Sequence, residues 1–274
     1  MSTLSPPPSP EPSKTSRASS ATVLVVAAVV VAVIAGFVAI GVLVGDGSST
    51  ATPAQSPPST PPTPTQSGPT ASPTSSAPPS NLPPLDCSEP PALPANPQQF
   101  DKAPPASLSQ RATWRATLQT NCGRIVMELD GRVAPQTVAS FVFLSQAGYY
   151  DDSPCHRLTT PEQGLLVLQC GDPTGTGSGG PGYGYGIENA PASGSYPAGT
   201  VAMARASDPN SNGSQFFIVY GDTTLPTTGG GYSIFGTVVE GLSIVQAVAA
   251  RGLASDQVAP AQPVSLLSVS VEKL

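Results

Sequence analysis

Residues 155–157, Cys-His-Arg, place a thiol, an imidazole and a guanidinium side by side, and His156 is the only histidine in the chain. A thiol with a neighbouring imidazole is the pairing that a cysteine nucleophile needs, and both groups also ligate zinc. A guanidinium offers something else, a fixed positive charge with a planar fork of donors. In an extended segment successive side chains leave on opposite faces, so Cys155 and His156 do not share a proton within one strand. No second histidine exists to supply a base elsewhere, and Cys87, Cys122, Cys155 and Cys170 stand at spacings too irregular for a zinc site. No metal and no cofactor are therefore expected. Four cysteines allow three pairings, which the count alone does not separate. Cys155 and Cys170 flank a hairpin-like segment, so the expected bonds are Cys155–Cys170 and Cys87–Cys122.

The run GDPTGTGSGGPGYG contains Gly175-x-Gly177-x-x-Gly180, formally a dinucleotide-binding fingerprint. That motif works only where a helix opens at the glycines, and Pro181-Gly182-Tyr183-Gly184 forbids one, which leaves a glycine-rich surface loop. In NSNGSQFFIVY, Asn212-Gly213 reads as a turn and Gln215 and Phe217 share one strand face while Phe216 takes the other. Gln169 likewise ends the apolar strand LLVLQ. Each glutamine by itself reads as a structural hydrogen-bonder. Asn212-Gly213-Ser214 also matches a glycosylation sequon.

Around these residues the sequence predicts a hairpin, ATLQTNCGRIVMELD, turning at Asn-Cys-Gly with Ile125, Met127 and Leu129 on one face. A helix follows over APQTVASFVFLSQ, with Pro135 at its start and Gly148 as its stop. Short strands are expected at Gly164–Gln169, Gly199–Arg205, Ser214–Tyr220 and Tyr232–Val238, then a second helix ending at Gly252 and a last strand in VSLLSVSVEKL. Many short strands with two helices indicate a mainly β barrel or sandwich with helices at its ends.

Only part of the 274 residues can build that core, because 34 are Pro, 27 are Gly, and long tracts are Ser and Thr. With 10% charged residues and a formal charge of -6, the chain has no basic footprint for nucleic acid. Residues 21–45 form an uncharged apolar run long enough to span a bilayer as one helix. Lys14 and Arg17 before it leave residues 1–20 in the cytoplasm and place the rest outside, on the cell-membrane exterior; a cleaved signal peptide is the alternative. Residues 46–84, rich in Pro, Ser and Thr, read as a disordered stalk reaching on the order of 100 Å. Residues 85–111 form an extended arm, and 112–274 the folded domain. All four cysteines then face an oxidising compartment.

Taken in order, CHR, LLVLQCGDPTGTGSGGPGYG, YPAGTVAMARASDPNSNGSQFFIVYGDTTLP and YSIFGTVVEGLSIVQAV resemble the cyclophilin family of peptidyl-prolyl cis-trans isomerases, over about Ala112 to Leu274. The anchored, extracytoplasmic layout is similar to that of cyclophilins from high-GC Gram-positive bacteria. The resemblance implies a closed eight-stranded antiparallel β-barrel capped by two α-helices, with a peptide groove on its outer face. It implies catalytic roles for Arg157, Gln169 and Phe217. It also implies substrate contacts from His156, Leu166, Val167, Ala204, Arg205, Gln215, Leu225 and Tyr232, and a monomer whose partners are proline-containing segments of unfolded or secreted chains.

Departures from the family pattern qualify that expectation. The chain carries extra residues, TTPEQG, between Arg157 and Gln169. Leu166 and Val167 fall where the family has Phe and Met, and Tyr232 stands where many members have His. The tryptophan that holds cyclosporin in many members has no counterpart, Trp114 being the only one, so cyclosporin is expected to bind weakly. A peptide-binding or chaperone module with little isomerase activity is the alternative reading.

Overall fold

A computed structural model describes residues 84–274. The expected tail, membrane span and nearly all of the stalk lie outside the described residues. Among the described residues no helix is long and apolar enough to cross a membrane.

The hairpin forms as expected, with β1 at Thr113–Thr120 and β2 at Gly123–Asp130. Thr120 pairs with Gly123 across the turn, and its hydroxyl donates to the Gly123 carbonyl at 2.6 Å. Trp114, Ala116 and Leu118 alternate inward against Ile125, Met127 and Leu129. Helix α1, Pro135–Gln146, starts at its proline, whose missing N–H is one that the first turn leaves unused anyway. The next segments are β3 (Ser153–Pro154), β4 (Arg157–Leu158), β5 (Val167–Cys170), β6 (Ser195–Tyr196), β7 (Thr200–Met203), β8 (Phe216–Val219), β9 (Thr223–Thr224) and β10 (Ile234–Glu240). Helix α2, Leu242–Ala249, and β11, Ser265–Lys273, complete the domain.

Nine strands make one antiparallel sheet in the order β3-β11-β1-β2-β10-β7-β8-β5-β4, and β6 and β9 form a separate pair. The sheet's two edges, β3 and β4, are separated in the chain by only Cys155 and His156, so the sheet must curl until its edges meet. This modifies the expected closed eight-stranded barrel. The closing strand is split, and its two halves are joined by covalent chain where a continuous ladder would have hydrogen bonds. Inside the curl Phe141 of α1 packs on Tyr150, Phe216 and Phe235 with ring centroids 5.1, 5.5 and 5.6 Å away.

The start of α1 has no capping side chain of its own, and Ala134 cannot supply one. Glu188 does so from a distant loop, accepting from the Gln136 and Thr137 amides at 3.0 and 2.8 Å and from the Thr137 hydroxyl at 2.8 Å. These are first-turn N–H groups that a helix cannot satisfy internally. Glu188→Ala is expected to lower unfolding free energy by about 1–2 kcal/mol, measured by urea titration; an unchanged midpoint would contradict the cap.

One expected turn does not form. Asn212 is fully buried, bridges to Tyr185, and donates its side-chain amide to the Gly186 carbonyl at 2.8 Å. Asn212-Gly213 is thus an interior link, and the sequon's asparagine is out of reach in the folded domain.

Candidate active site

The site is a rung of the sheet seen from outside. Arg157 on β4 pairs with Gln169 on β5, Gln169 with Phe217 on β8, and Phe217 with Ala202 on β7. Directly paired residues point to the same face. One rung therefore sets a cation, an amide, a ring and a small side chain in line, spaced by the roughly 4.8 Å between strands. The Cys155–Cys170 disulfide ties the β3–β4 link to the end of β5 immediately beside that rung, and Cys87–Cys122 fastens the arm to the β1–β2 turn. Both are the expected pairings.

The guanidinium does not stand alone. Arg157 Nη1 donates to Gln169 Oε1 at 3.3 Å, Gln169 Nε2 donates to Gln215 Oε1 at 2.7 Å, and Gln215 Nε2 donates to the carbonyls of Gly177 and Gly179 at 3.0 and 2.8 Å. Each amide's orientation is fixed by the next, so the glycine-rich loop sets the direction of the arginine. That loop is wound around the buried Asp172. One carboxylate oxygen accepts from the Thr174 amide and hydroxyl and the other from the Gly179 amide. Burial alone would raise the Asp172 pKa, but the Thr174 hydroxyl and the two loop amides outweigh it and hold the carboxyl below its ordinary value. A Cβ on Gly179 would collide with Asp172 Oδ1, which is why the loop needs glycine there.

Beyond the guanidinium lies an apolar hollow lined by Leu165, Val167, Phe217, Leu225 and Tyr232; beneath it Val167, Phe217 and Leu225 pack with Tyr196, Ala202 and Val219 in a small cluster separate from the main core. Phe217, 4% exposed, is the hollow's floor. Tyr232 meets Phe217 edge-on, centroids 5.6 Å apart at 80°. Leu225 and Ala204 also line the cavity.

One expected contact is corrected. Leu166 does not face the hollow; it faces away, packing toward Gly221, and Leu165 takes the place expected of it. The reason is strand alternation: Leu165, Val167 and Gln169 share a face, so the adjacent pair Leu166 and Val167 cannot. Arg205 lines the hollow, but its guanidinium is committed to the carbonyls of Gly231, Ala206 and Thr228 at 2.8, 2.9 and 3.1 Å and lies 5.2 Å over the Tyr232 ring. It pins a loop and holds Tyr232, and one N–H on each Nη remains for other partners.

The family described as cyclophilin type peptidyl-prolyl cis-trans isomerase/CLD matches residues 115–271, more than half of the chain. The chain belongs to the cyclophilin family. Among similar curated proteins, a probable peptidyl-prolyl cis-trans isomerase B of Mycobacterium leprae is 37% identical over 207 residues, covering 69% of this chain and 67% of that protein. The protein of the same name from Mycobacterium tuberculosis is 38% identical over 172 residues, and the chain spans about half of it, 54%. A peptidyl-prolyl cis-trans isomerase of Streptomyces antibioticus is 34% identical and is covered over 96% of its length. Among solved structures, a cyclophilin type isomerase of Cryptosporidium parvum, crystallised in the presence of the dipeptide Ala-Pro, superposes with a TM-score of 0.50 at 31% identity, covering 58% of this chain and 98% of that one.

In this cyclophilin the lone histidine sits beside the groove, half-buried, and neither ring nitrogen meets a protein hydrogen-bond partner. Burial pushes the imidazole below its ordinary value, with the Arg157 charge acting in the same sense, against the pull of Asp172. Between the lowered folded value and the ordinary one near 6.5, the unfolded chain binds more protons than the folded one, so stability rises with pH there. His156 thus stabilises fully above about 6.5 and loses that contribution as pH falls toward the folded value. Melting temperatures of the protein are expected to drop between pH 7.5 and 5 more steeply than those of His156→Gln; parallel curves would contradict this.

Proposed function

We propose that this cyclophilin accelerates rotation about X-Pro bonds in chains outside the cytoplasm, using Arg157 to stabilise the half-rotated imide. The observation that carries this reading is the rung Arg157–Gln169–Phe217, which sets the tethered guanidinium beside a cavity wall of apolar side chains, Leu165, Val167, Phe217 and Leu225, suited to an apolar ring. The naming of its relatives as peptidyl-prolyl cis-trans isomerases supports it, as does the Ala-Pro dipeptide present with the Cryptosporidium structure.

The chemistry needs no covalent step. The barrier, roughly 18–20 kcal/mol, is the loss of amide conjugation. As the bond turns, the prolyl nitrogen regains lone-pair character, and a positioned cationic donor stabilises that state more than either planar one. Phe217, Leu225, Val167 and Leu165 hold the ring while the acyl side rotates. Gln169 keeps the guanidinium from swinging out, and its own position is held by Gln215.

Sequence and covalent chemistry together support that location. The apolar run at 21–45, preceded by Lys14 and Arg17, orients the domain outward as a single-pass anchored protein. Two disulfides, with no free cysteine among the described residues, suit an oxidising compartment.

An exchange-NMR assay of the full-length chain on an Ala-Pro peptide tests the activity. Cis/trans interconversion well above the uncatalysed rate is expected. Peptide binding without acceleration would instead support the chaperone reading. Cyclosporin is expected to bind weakly: Trp114 is buried in β1 with its Nε1 donating to the Ser109 carbonyl at 2.8 Å, far from any role in the groove. Calorimetry returning nanomolar affinity would refute that.

A further inference from the structure

The groove does not end at Arg157. One continuous cavity of about 900 Å³ runs from the Phe217 hollow past Arg157 and His156 to a second region lined by Pro90, Pro91, Leu93, Val258, Ala259 and Ala261. That volume lies near the top of the range for sites that enclose a drug-sized ligand, so one prolyl ring occupies only a part of it. The six side chains just named are all apolar. The region's one carboxylate, Asp256, is turned toward its own loop through Oδ1, which accepts from the Val258 and Ala259 amides at 2.9 and 3.0 Å.

Both walls of this region are held in place before any peptide arrives. The arm is fastened at one end by Cys87–Cys122 and by the Ser88 amide donating to the Asn121 carbonyl at 2.8 Å. At the other end the Phe100 amide donates to the Pro181 carbonyl at 2.8 Å, and the Phe100 ring packs on Phe143 with centroids 4.9 Å apart. The opposite wall is tied to the catalytic strand, because the Leu158 amide donates to the Val258 carbonyl at 2.9 Å, one residue from Arg157. Yet Leu93 and Val258 remain 50% and 48% exposed. Two large apolar side chains are thus presented to solvent by rigid backbone at the end of a catalytic groove, where a ligand would cover them. Pro90, Pro91 and Leu93 precede the residues matched by the family, 115–271.

We propose that the arm and the Ala254–Ala261 loop form an apolar subsite for a substrate side chain a few residues from the isomerised proline, on one side of it only. The inference rests on the isomerase reading for its substrate, and its occupant is a Leu-like side chain of the same extended peptide. The single-sidedness follows from the shape: the second region opens from the Arg157 end of the hollow.

The test uses the full-length chain and a Ser/Gly-rich peptide with a central Ala-Pro, into which one Leu is placed at successive positions before or after the proline. Affinity is read by calorimetry and turnover by exchange NMR. Leu at one or two positions on a single side is expected to tighten binding about tenfold, and L93S/V258S is expected to cut that gain below about threefold. Both side chains are half exposed, so these changes leave the fold intact. No gain at any position, equal gains on both sides, or a gain that survives in L93S/V258S would overturn the subsite. If no peptide is isomerised the activity reading fails, while the calorimetric gain still decides the subsite by itself.

Discussion

Arg157→Ala is expected to lower kcat/KM on an Ala-Pro peptide at least a hundredfold while leaving the domain folded. A charge-assisted donor acting mainly in the transition state contributes about 3–4 kcal/mol, or two to three powers of ten in rate. Arg157 is half-buried on a two-residue edge strand, and its side-chain bond within the protein is the 3.3 Å contact to Gln169. Its removal therefore strands no buried partner, and the loss falls on chemistry more than on stability. Arg157→Lys is expected to recover little, because a point charge on a flexible stem replaces a planar fork that Gln169 can orient. Unchanged turnover in Arg157→Ala would remove the arginine from the mechanism.

The second large effect separates two neighbours. Phe216 is fully buried inside the curl against Phe141 and Tyr150, and Phe217 lies on the outer face as the floor of the hollow. Phe216→Ala is expected to cost about 3–5 kcal/mol of stability, a large share of the 5–15 kcal/mol typical of a domain. Phe217→Ala is expected to lower kcat/KM by about ten- to a hundredfold through lost burial of the prolyl ring, with a smaller effect on the unfolding midpoint. Urea titration and the isomerase assay on both variants check the contrast. Equal stability losses with equal activity losses would mean that the outer face is not a binding surface.

Much of this arrangement could be read from the residues. Period-two alternation gave the β1–β2 register, Pro135 and Gly148 bounded α1, and the opposite faces of Phe216 and Phe217 followed from adjacency on one strand. The disulfide pairing followed from the hairpin that Cys155 and Cys170 flank. Leu166 was misplaced because the extra residues after Arg157 obscured which leucine continues the strand. Counting back by twos from Gln169 through Val167 reaches Leu165, and that rule was available.

Other features had no local signal. Nothing near Ala134 announces that Glu188, fifty-odd positions away by contact separation, caps its helix. The split of the closing strand at Cys155-His156 depends on which strands come to flank it, β11 on one side and β5 on the other. Asn212-Gly213 has the composition of a turn, but tertiary packing buries the asparagine and uses it to bridge to Tyr185. The arm's sequence shows only an extended segment, whereas its apolar residues wall a groove whose other side comes from residues 254–261.

The chain of amides behind Arg157 bears on how the mechanism works. A guanidinium free to rotate would bind the planar and twisted imides nearly alike, lowering KM without raising kcat. Held by Gln169, Gln215 and the loop knotted on Asp172, it is aimed before the bond turns. The aimed guanidinium thus selects one state of the substrate. Exchange NMR at saturating Ala-Pro peptide reports the interconversion rate on the protein separately from peptide affinity, and comparing the unaltered protein with Arg157→Ala tests the claim directly. The bound-state rate is expected to fall at least a hundredfold with affinity changed less than about threefold; affinity lost with the bound-state rate preserved would contradict this mechanism.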